Sequence, residues 1–521
     1  MKFINKYCLT GLMQGSLVLL LIAVMPGCTK KFEAMNTNPT RLLDLTPAEY
    51  PFLFSRAQSS TSYVNWRYQA AQNYYSDLYA QYFSATETYV PNDRYVINMG
   101  DLVQHWRIYT DVVPQLKTLL KETDSTTAEN ALAKVWWVYT FHRITDYYGP
   151  IPYFNAGEPA KSVPYDAQDK IYYDFFVKLA EAREVLKDNT GKVPYGDYDL
   201  VYKGNIERWL KFVNTLQLRF ALRISAVNPD LAKSEAEEAL AQGVLTDPAD
   251  DAYMAKSEVG GDFNGLSAVA VWNEFRMSAS MESVMKGYSD PRLPIYFQPS
   301  TGTNDYDGLR NGLLASEQIL PENIANNQSN IGTRWVTGSG SNWSSKVAPQ
   351  DLLHAAEAYF LRAEGALNGW DMGGTAQELY EKGIETSMKQ WGITDETAIT
   401  DYINNQSTPV SPNDYFNSPP MNDFPVKWSA DTDMQRKQLA QQKWLALYPD
   451  GMEAWADMRR SKKMIIYPRL HSDNPDLQPS EMIRRIPFID QEKLANGEAV
   501  QAAESLLGGP DKPTTPLWWD K

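Results

Sequence analysis

Residues 209–223 read WLKFVNTLQLRFALR, and their pattern is that of an amphipathic helix. Apolar side chains recur there every three or four positions, so that they line one face of an α-helix. Those side chains belong to Trp209, Phe212, Val213, Leu216 and Phe220. Arg219 and Arg223 lie one helical turn apart beside this face, where they could bridge carboxylates or cap the ends of neighbouring helices. The stretch therefore predicts a helix that packs into a helical core.

The same spacing recurs along the chain in pairs of segments, which predicts helical hairpins. In one pair, 350–367 is followed by 375–391, and Thr375 and Glu378 are spaced as a capping box at the start of the second segment. Two further pairs are 128–147 with 170–186, and 205–225 with 230–242. Several tryptophans lie on these and other helical stripes and are predicted to be core, namely Trp136, Trp137, Trp209, Trp444 and Trp455.

Long segments rich in Gly, Asn, Ser and Pro interrupt the predicted helices at 247–265, 297–346 and 404–428. Loops of this length in a compact domain are usually functional. We therefore predict a mostly all-α fold, a tetratricopeptide-like framework of helical hairpins with long irregular loop insertions. Residues 41–521 are predicted to form a single domain.

The N-terminus has the features of an export signal. Lys2 and Lys6 precede an apolar run at 17–25, which is shorter than the roughly 20 residues that span a bilayer. Gly27 and Cys28 close the run, and a lipoprotein peptidase requires a Cys directly after its cleavage site with a small residue before it. We predict that residues 1–27 are a cleaved lipoprotein signal peptide, that Cys28 is lipidated, and that 28–40 is a flexible tether.

Composition excludes several classes of function. The net charge of −15 and the pI of about 4.9 argue against a nucleic-acid partner, which needs clustered Lys and Arg. The only cysteine outside the signal peptide is Cys28, which leaves no intrachain disulfide and no Cys metal site. The four histidines show no metal-binding spacing, and no nucleophile elbow, phosphate loop or EF-hand is present. The sequence therefore predicts no cofactor, no metal and no enzymatic activity.

Five stretches carry a family resemblance, and they follow one another over nearly all of the mature chain. They are NTNP at 36–39, DYYGPIPY at 146–153, the helix at 209–223, QKWLALYPDGMEAWADMRR at 442–460 and RRIPF at 484–488. Together with Cys28 they resemble the SusD/RagB family of Bacteroidetes outer-membrane lipoproteins, most closely its SusD-like, nutrient-binding branch.

The resemblance implies a fold, a location and a partner. The fold is helical with tetratricopeptide-like repeats, and the location is the outer membrane, lipid-anchored and facing the cell exterior. The partner is a SusC-like TonB-dependent transporter, for which the SusD-like subunit serves as a lid that captures oligomers. This chain departs from the family in having Lys30, Lys31 and only Glu33 after Cys28, where members often carry an acidic export signal.

Ligand contacts are not transferred by the resemblance, because its motifs are structural. A sugar site needs exposed aromatic rings for its C–H faces and amide or carboxylate groups for its hydroxyls. Loops supply such groups best, and the candidates there are Trp343 and Trp335 with Asn342, then Trp272, then Tyr89.

The leading hypothesis is therefore a non-catalytic protein that binds nutrient glycans, such as starch-type or other oligosaccharides. A RagB-like protein that binds peptides is the first alternative. A surface glycoside hydrolase would need a pair of carboxylates in a deep cleft. A helical scaffold that binds only proteins would show no exposed aromatic cluster among its loops.

Overall fold

Helices make up most of the structure, a computed structural model that describes residues 45–62, 66–337 and 345–521. The predicted mostly all-α fold is confirmed. The chain divides at Tyr50, and Pro51–Lys521 forms one compact unit. The predicted signal peptide 1–27, the tether 28–40 and Cys28 lie outside the described residues, so they stay predictions.

The α-helices are, in chain order, α1 (Tyr50–Thr61), α2 (Trp66–Tyr68), α3 (Met99–Trp106), α4 (Ile108–Asp111), α5 (Val113–Glu122), α6 (Ala128–Tyr148), α7 (Gln168–Asp188), α8 (Ile206–Arg223), α9 (Pro229–Gln242), α10 (Gly265–Ala270), α11 (Ala279–Gly287), α12 (Leu293–Tyr296), α13 (Ala315–Gln318), α14 (Ala355–Leu367), α15 (Ala376–Gln390), α16 (Glu396–Ile403), α17 (Thr432–Leu447), α18 (Gly451–Ser461), α19 (Asp490–Ala495) and α20 (Gly497–Glu504). A π-helix, Gln69–Asp77, follows α2 directly. Four short strands are β1 (Phe83–Ala85), β2 (Ala252–Met254), β3 (Phe275–Met277) and β4 (Gln350–Leu353).

The three predicted helical hairpins are confirmed. Helix α6 packs against α7, α8 against α9, and α14 against α15. Their boundaries follow from side-chain caps: the Asn205 side chain accepts from the amide of Arg208 at 2.9 Å, and Thr375 with Glu378 forms the predicted capping box. The tryptophans that were predicted to be core are buried.

One predicted boundary is wrong. Residues 350–353 form strand β4 rather than the first turn of a helix, and α14 begins only at Ala355. The reason is a tertiary contact, since β4 pairs antiparallel with β2 and places Tyr253 opposite Asp351. Such a pairing partner, about a hundred residues away in sequence, overrides a local helical pattern.

A buried cluster of charges joins the hairpins, and it involves the two arginines that the sequence singled out. The Arg219 guanidinium donates to both carboxylate oxygens of Glu357 on α14, at 2.7 and 2.6 Å. Arg223 donates to both oxygens of Glu453 on α18, at 2.7 and 2.6 Å, and lies 3.6 Å from Asp146 on α6. All five side chains are buried. We call them the charge cluster; it ties α6, α8, α14 and α18 together.

A second group of buried ion pairs extends this arrangement toward α17. Lys443 on α17 donates to Asp457 on α18 at 2.7 Å, and Arg460 donates to the same carboxylate at 2.7 Å. Arg460 also donates to both oxygens of Glu364 on α14, at 2.6 Å each. Each charge therefore has an opposite partner within hydrogen-bonding distance, which a charge in a low-dielectric interior requires.

Loss of the Glu453 carboxylate should destabilise the fold. Burial alone would raise the pKa of Glu453, but Arg223 and Arg219 outweigh burial and hold that pKa below its usual value. Glu453→Gln would leave these guanidiniums short of a counter-charge, so we expect the free energy of unfolding to fall by about 3–5 kcal/mol. Equilibrium urea unfolding measures the change.

The matched control is Glu181→Gln. Glu181 accepts a hydrogen bond from Lys134 at 2.8 Å, but its side chain is 53% exposed. We expect this exposed pair to contribute about 0–1 kcal/mol. Equal losses of stability in the two variants would contradict a structural role for the buried charge cluster.

His354 provides a pH-dependent contact beside the β2–β4 pair. Its Nδ1 lies 3.2 Å from Asp251 and its Nε2 lies 3.3 Å from Asp351. Burial alone would lower the pKa of the imidazole, but the two aspartates outweigh burial and raise the pKa to about 9. The raised pKa means that protonated His354 stabilises the fold fully below its unfolded pKa of about 6.5, and that this contribution is lost as pH rises through about 9.

We therefore expect the free energy of unfolding of the unmodified protein to exceed that of His354→Gln by up to about 3 kcal/mol at low pH. The difference should narrow between pH 6 and pH 10. Urea unfolding of both proteins at several pH values in this window gives the difference directly. A gap that stays constant or widens with rising pH would count against the ionised His354 contact.

Candidate functional site

The antiparallel pair of β1 and β3 brings together two segments that the sequence predicted as separate ligand candidates. In this pair Phe83 lies opposite Met277 and Ala85 opposite Phe275. Tyr89 therefore follows the end of β1 close to the point where residues 272–274 lead into β3. The amide of Thr86 donates to the carbonyl oxygen of Glu274 at 3.0 Å, which continues the ladder past the strands.

Glu274 is the polar centre of this region. The Tyr89 hydroxyl donates to its Oε1 at 2.9 Å, and the side-chain amide of Gln69 donates to its Oε2. Burial, and then the hydrogen bond and negative charge of Glu274, raise the pKa of Tyr89 to about 12. Tyr89 thus remains a protonated donor at neutral pH, and its ring orientation is set by Glu274.

Three aromatic side chains of this region are exposed to solvent. Tyr89 is 63% exposed and Trp272 is 39% exposed. Helix α10, which immediately precedes Trp272, packs against α2, and Trp66 on α2 is 50% exposed. We call Trp66, Tyr89 and Trp272, with Glu274 between their segments, the aromatic surface. Rings with one exposed face and fixed hydrogen-bonding groups nearby suit ligands that combine apolar and polar surface.

The π-helix Gln69–Asp77 holds the aromatic surface against the core. Its first residue, Gln69, reaches Glu274, and its last residue, Asp77, is buried and accepts from Tyr68 at 2.7 Å and from Gln72 at 3.1 Å. The π-helix packs against α18, where a Cβ on Gly451 would come within 2.2 Å of the Asp77 carboxylate. Only glycine allows this approach, so the π-helix is fixed close to the charge cluster. π-helical turns are frequent at functional sites.

The other predicted ligand residues are placed differently. Trp335 is fully buried and packs with Trp391 and Tyr448 at centroid distances of 5.8 and 5.7 Å. Its prediction as an exposed platform is therefore corrected: the surrounding loop is polar, but this ring enters the core. Trp343 and Asn342 lie outside the described residues, and they remain candidates from sequence alone.

Trp66, Gln69 and Tyr74 were not predicted from the sequence. Trp66 stands between Asn65 and Arg67, a polar setting like that of Trp343, so the same criterion would have selected it. Burial and Glu274 raise the pKa of Tyr74, which places this hydroxyl beside the same carboxylate. Neither Gln69 nor Tyr74 carries a local signal, because their partner is about 200 residues away in sequence.

Each of the four histidines has its own neighbours within the described residues. His105 and His142 are buried among aromatic rings, His354 lies between two aspartates, and His471 pairs with Glu317 at 3.1 Å. In the part of the chain that the structure describes, no group of three or more His, Cys, Asp or Glu side chains is placed to hold a metal ion. Across residues 45–62, 66–337 and 345–521, none of the helices combines the length and apolar character of a membrane span.

Comparison with known proteins gives one family. Residues 50–520 match the family model described as SusD-like, Susd and RagB outer membrane lipoprotein. Among curated proteins no sequence match was found.

Solved structures show the same fold. A chitin-binding SusD homolog from Flavobacterium johnsoniae is 34% identical with a TM-score of 0.83, over 91% of this chain and 99% of that one. A SusD-like protein from Bacteroides thetaiotaomicron is 31% identical with a TM-score of 0.80, over 90% and 98% of the two chains. A SusD homolog from Bacteroides vulgatus is 30% identical with a TM-score of 0.80, over 91% and 98%.

Proposed function

Because this chain belongs to the SusD-like family of outer membrane lipoproteins, we propose that it is a non-catalytic protein that captures nutrient oligosaccharides. It passes them to a SusC-like TonB-dependent transporter in the outer membrane. The single observation that carries the binding proposal is the aromatic surface around Glu274.

The chemistry of the aromatic surface supports a saccharide ligand. A pyranose ring offers an apolar C–H face, which packs on an exposed indole or phenol, and hydroxyl groups that need donors and acceptors. Tyr89 and Trp272 supply exposed rings, while Glu274 and Asn273 supply polar groups in the adjoining turn. Because Tyr89 and Gln69 already hold Glu274, the surface needs little reordering when ligand arrives, which lowers the entropic cost of binding.

Chitin-type oligomers are the first cargo to test. Two of the similar solved structures are described as chitin-binding, at 34% and 25% identity. The proposed ligand class is therefore oligosaccharides, with N-acetylglucosamine oligomers ahead of starch-type ones. Peptides are the alternative cargo, since an exposed aromatic ring also packs on peptide side chains.

Two other hypotheses have less support. A glycoside hydrolase needs one carboxylic acid free to protonate the leaving group, whereas Glu274 already accepts hydrogen bonds on both oxygens. A scaffold that binds only proteins predicts no cluster of exposed rings in the loops, and Tyr89 and Trp272 are such rings.

Tyr89→Ala and Trp272→Ala should each weaken binding of an N-acetylglucosamine hexamer by about tenfold, since that factor corresponds to the loss of about 1.4 kcal/mol. The reason is that each substitution removes one exposed ring, and Tyr89→Ala also removes the hydrogen bond to Glu274. Isothermal titration calorimetry with the purified protein gives the dissociation constants. Trp343→Ala, in the segment outside the described residues, belongs in the same series.

The matched control is Phe52→Ala, which removes an exposed ring at the first turn of α1. Phe52 is 55% exposed and contacts Tyr198 edge-on at 4.7 Å. Its removal should leave the hexamer affinity unchanged. The glycan proposal would fail if the unmodified protein bound none of a panel of oligosaccharides but bound peptides.

The lipid anchor is the second part of the proposal, and it rests on Cys28 and family membership. Cys28→Ala removes the thiol to which the lipid attaches, so we expect the variant to lose incorporation of labelled palmitate and to leave the membrane fraction. Protease treatment of intact cells that carry the unmodified protein tests which side it faces, since outward display predicts cleavage. Unchanged membrane association of the variant would rule out Cys28 as the anchor.

A further inference from the structure

A cleft lies at the C-terminal end of α3, where Val103, Trp106 and Arg107 line it. It encloses about 370 Å³ between α3–α4, the loop 152–163 and α19. Its volume is within the range of small-molecule sites, roughly 300–1,000 Å³. The proposed function leaves this cleft unused.

Aromatic rings form one wall of the cleft and are held in place by their neighbours. Trp106 lies 5.0 Å from Tyr109 and meets Tyr148 edge-on at 5.1 Å, measured between ring centroids. The Tyr109 hydroxyl donates to the carbonyl oxygen of Pro152 at 2.8 Å, which fixes the ring against the loop. The wall therefore presents preordered aromatic carbon to a ligand.

The opposite wall carries amide and carboxylate groups. The Asn496 side chain donates to the carbonyl of Val163 at 2.8 Å, and Tyr165 donates to Glu492 at 3.0 Å. Gln491, on the exposed side of α19, also lines the cleft. Rings on one side and amides on the other are the groups that a saccharide needs.

The charged side chains around the cleft are mostly paired with one another. Arg107 lies 3.1 Å from Asp111, and Lys117 pairs with Glu158. Lys161 is exposed and can donate to a hydroxyl. Charge neutralised in this way favours an uncharged ligand over an ionic one.

Helix α3 connects the cleft to the aromatic surface. At its start, the carbonyl of Asn98 accepts from Tyr75 of the π-helix at 2.9 Å, and α3 packs along that helix. Tyr74, which lies beside Glu274, is also within electrostatic range of Asp101 in the first turn of α3. The eight residues of α3 span about 12 Å, so this short helix joins the Glu274 region, beside its first turn, to the cleft at its last turn.

A polar bridge runs between the same two regions. Arg67, next to Trp66 of the aromatic surface, donates to the Asp111 carboxylate at 2.9 Å. Asp111 also pairs with Arg107, which lines the cleft. A ligand that crossed from one region to the other would pass over hydrogen-bond donors rather than bare apolar surface.

We propose that this cleft is a second subsite for the same oligosaccharide, occupied only by chains long enough to extend from the aromatic surface along α3. The inference rests on the proposed function. It predicts that affinity depends on chain length, because two linked contacts bind with a high effective concentration.

The test compares the N-acetylglucosamine dimer with the hexamer by calorimetry, using the full mature protein. Ala495→Trp places an indole in the cleft from an exposed position on α19. We expect it to weaken hexamer binding by about tenfold and to leave dimer binding unchanged. Gln491→Ala, which removes only an exposed amide, should weaken hexamer binding by about two- to threefold.

The matched control is Ala241→Trp, at an exposed alanine of α9 that does not line the cleft. It should change neither affinity. If the unmodified protein, Ala495→Trp and Gln491→Ala bind the hexamer with equal affinity, the second subsite is wrong. The proposed function would still stand in that case, provided that Tyr89→Ala weakens hexamer binding. If the unmodified protein binds neither the dimer nor the hexamer, both proposals are wrong. If Ala495→Trp weakens the binding of peptides but not of the hexamer, the second subsite is wrong.

Discussion

The pairing of Arg219 and Arg223 with Glu357 and Glu453 is the constraint on which the rest of the structure depends. A guanidinium and a carboxylate removed from water tolerate little displacement, since each lost hydrogen bond leaves an uncompensated charge. A slide of α8 against α14 or α18 would therefore break these bidentate contacts. Apolar side chains supply the stabilisation, and the charges select one arrangement of the hairpins.

That arrangement reaches the surface through a short series of contacts. Helix α18, which carries Glu453, begins at Gly451 against Asp77. Asp77 ends the π-helix, whose first residue, Gln69, holds Glu274, and Glu274 in turn orients Tyr89. Each contact in the series is a hydrogen bond or a close steric contact that allows only one arrangement of the two residues. The exposed ring of Tyr89 is thereby positioned by the interior of the protein rather than by its own loop.

Much of the fold was predictable because helical spacing is a local signal. The hairpins and the capping box at Thr375 follow from residues a few positions apart. For Arg219 and Arg223 the sequence predicted either bridges to carboxylates or helix caps, and the structure shows the bridges, to partners 138 and 230 positions away. The strands were not predictable, because β2 and β4 consist of three or four residues each and exist only through their pairing. Trp335 was mispredicted because its environment is also set by tertiary contacts. The polar loop around it predicted an exposed ring, whereas the folded protein buries that ring in the core.

The candidate site was half predictable for the same reason. Tyr89 and Trp272 were selected as separate candidates, and the contact that unites their segments joins residues 185 positions apart. An open surface of this kind has an energetic consequence. Exposed rings desolvate only one face of a ligand, so each contributes a modest free energy, and affinity must come from several contacts along one chain. Under the proposed function, in which the ligand passes to a transporter, this division helps release, because the contacts can be lost one at a time. A single deep pocket of equal total affinity would have to lose all of its contacts in one step.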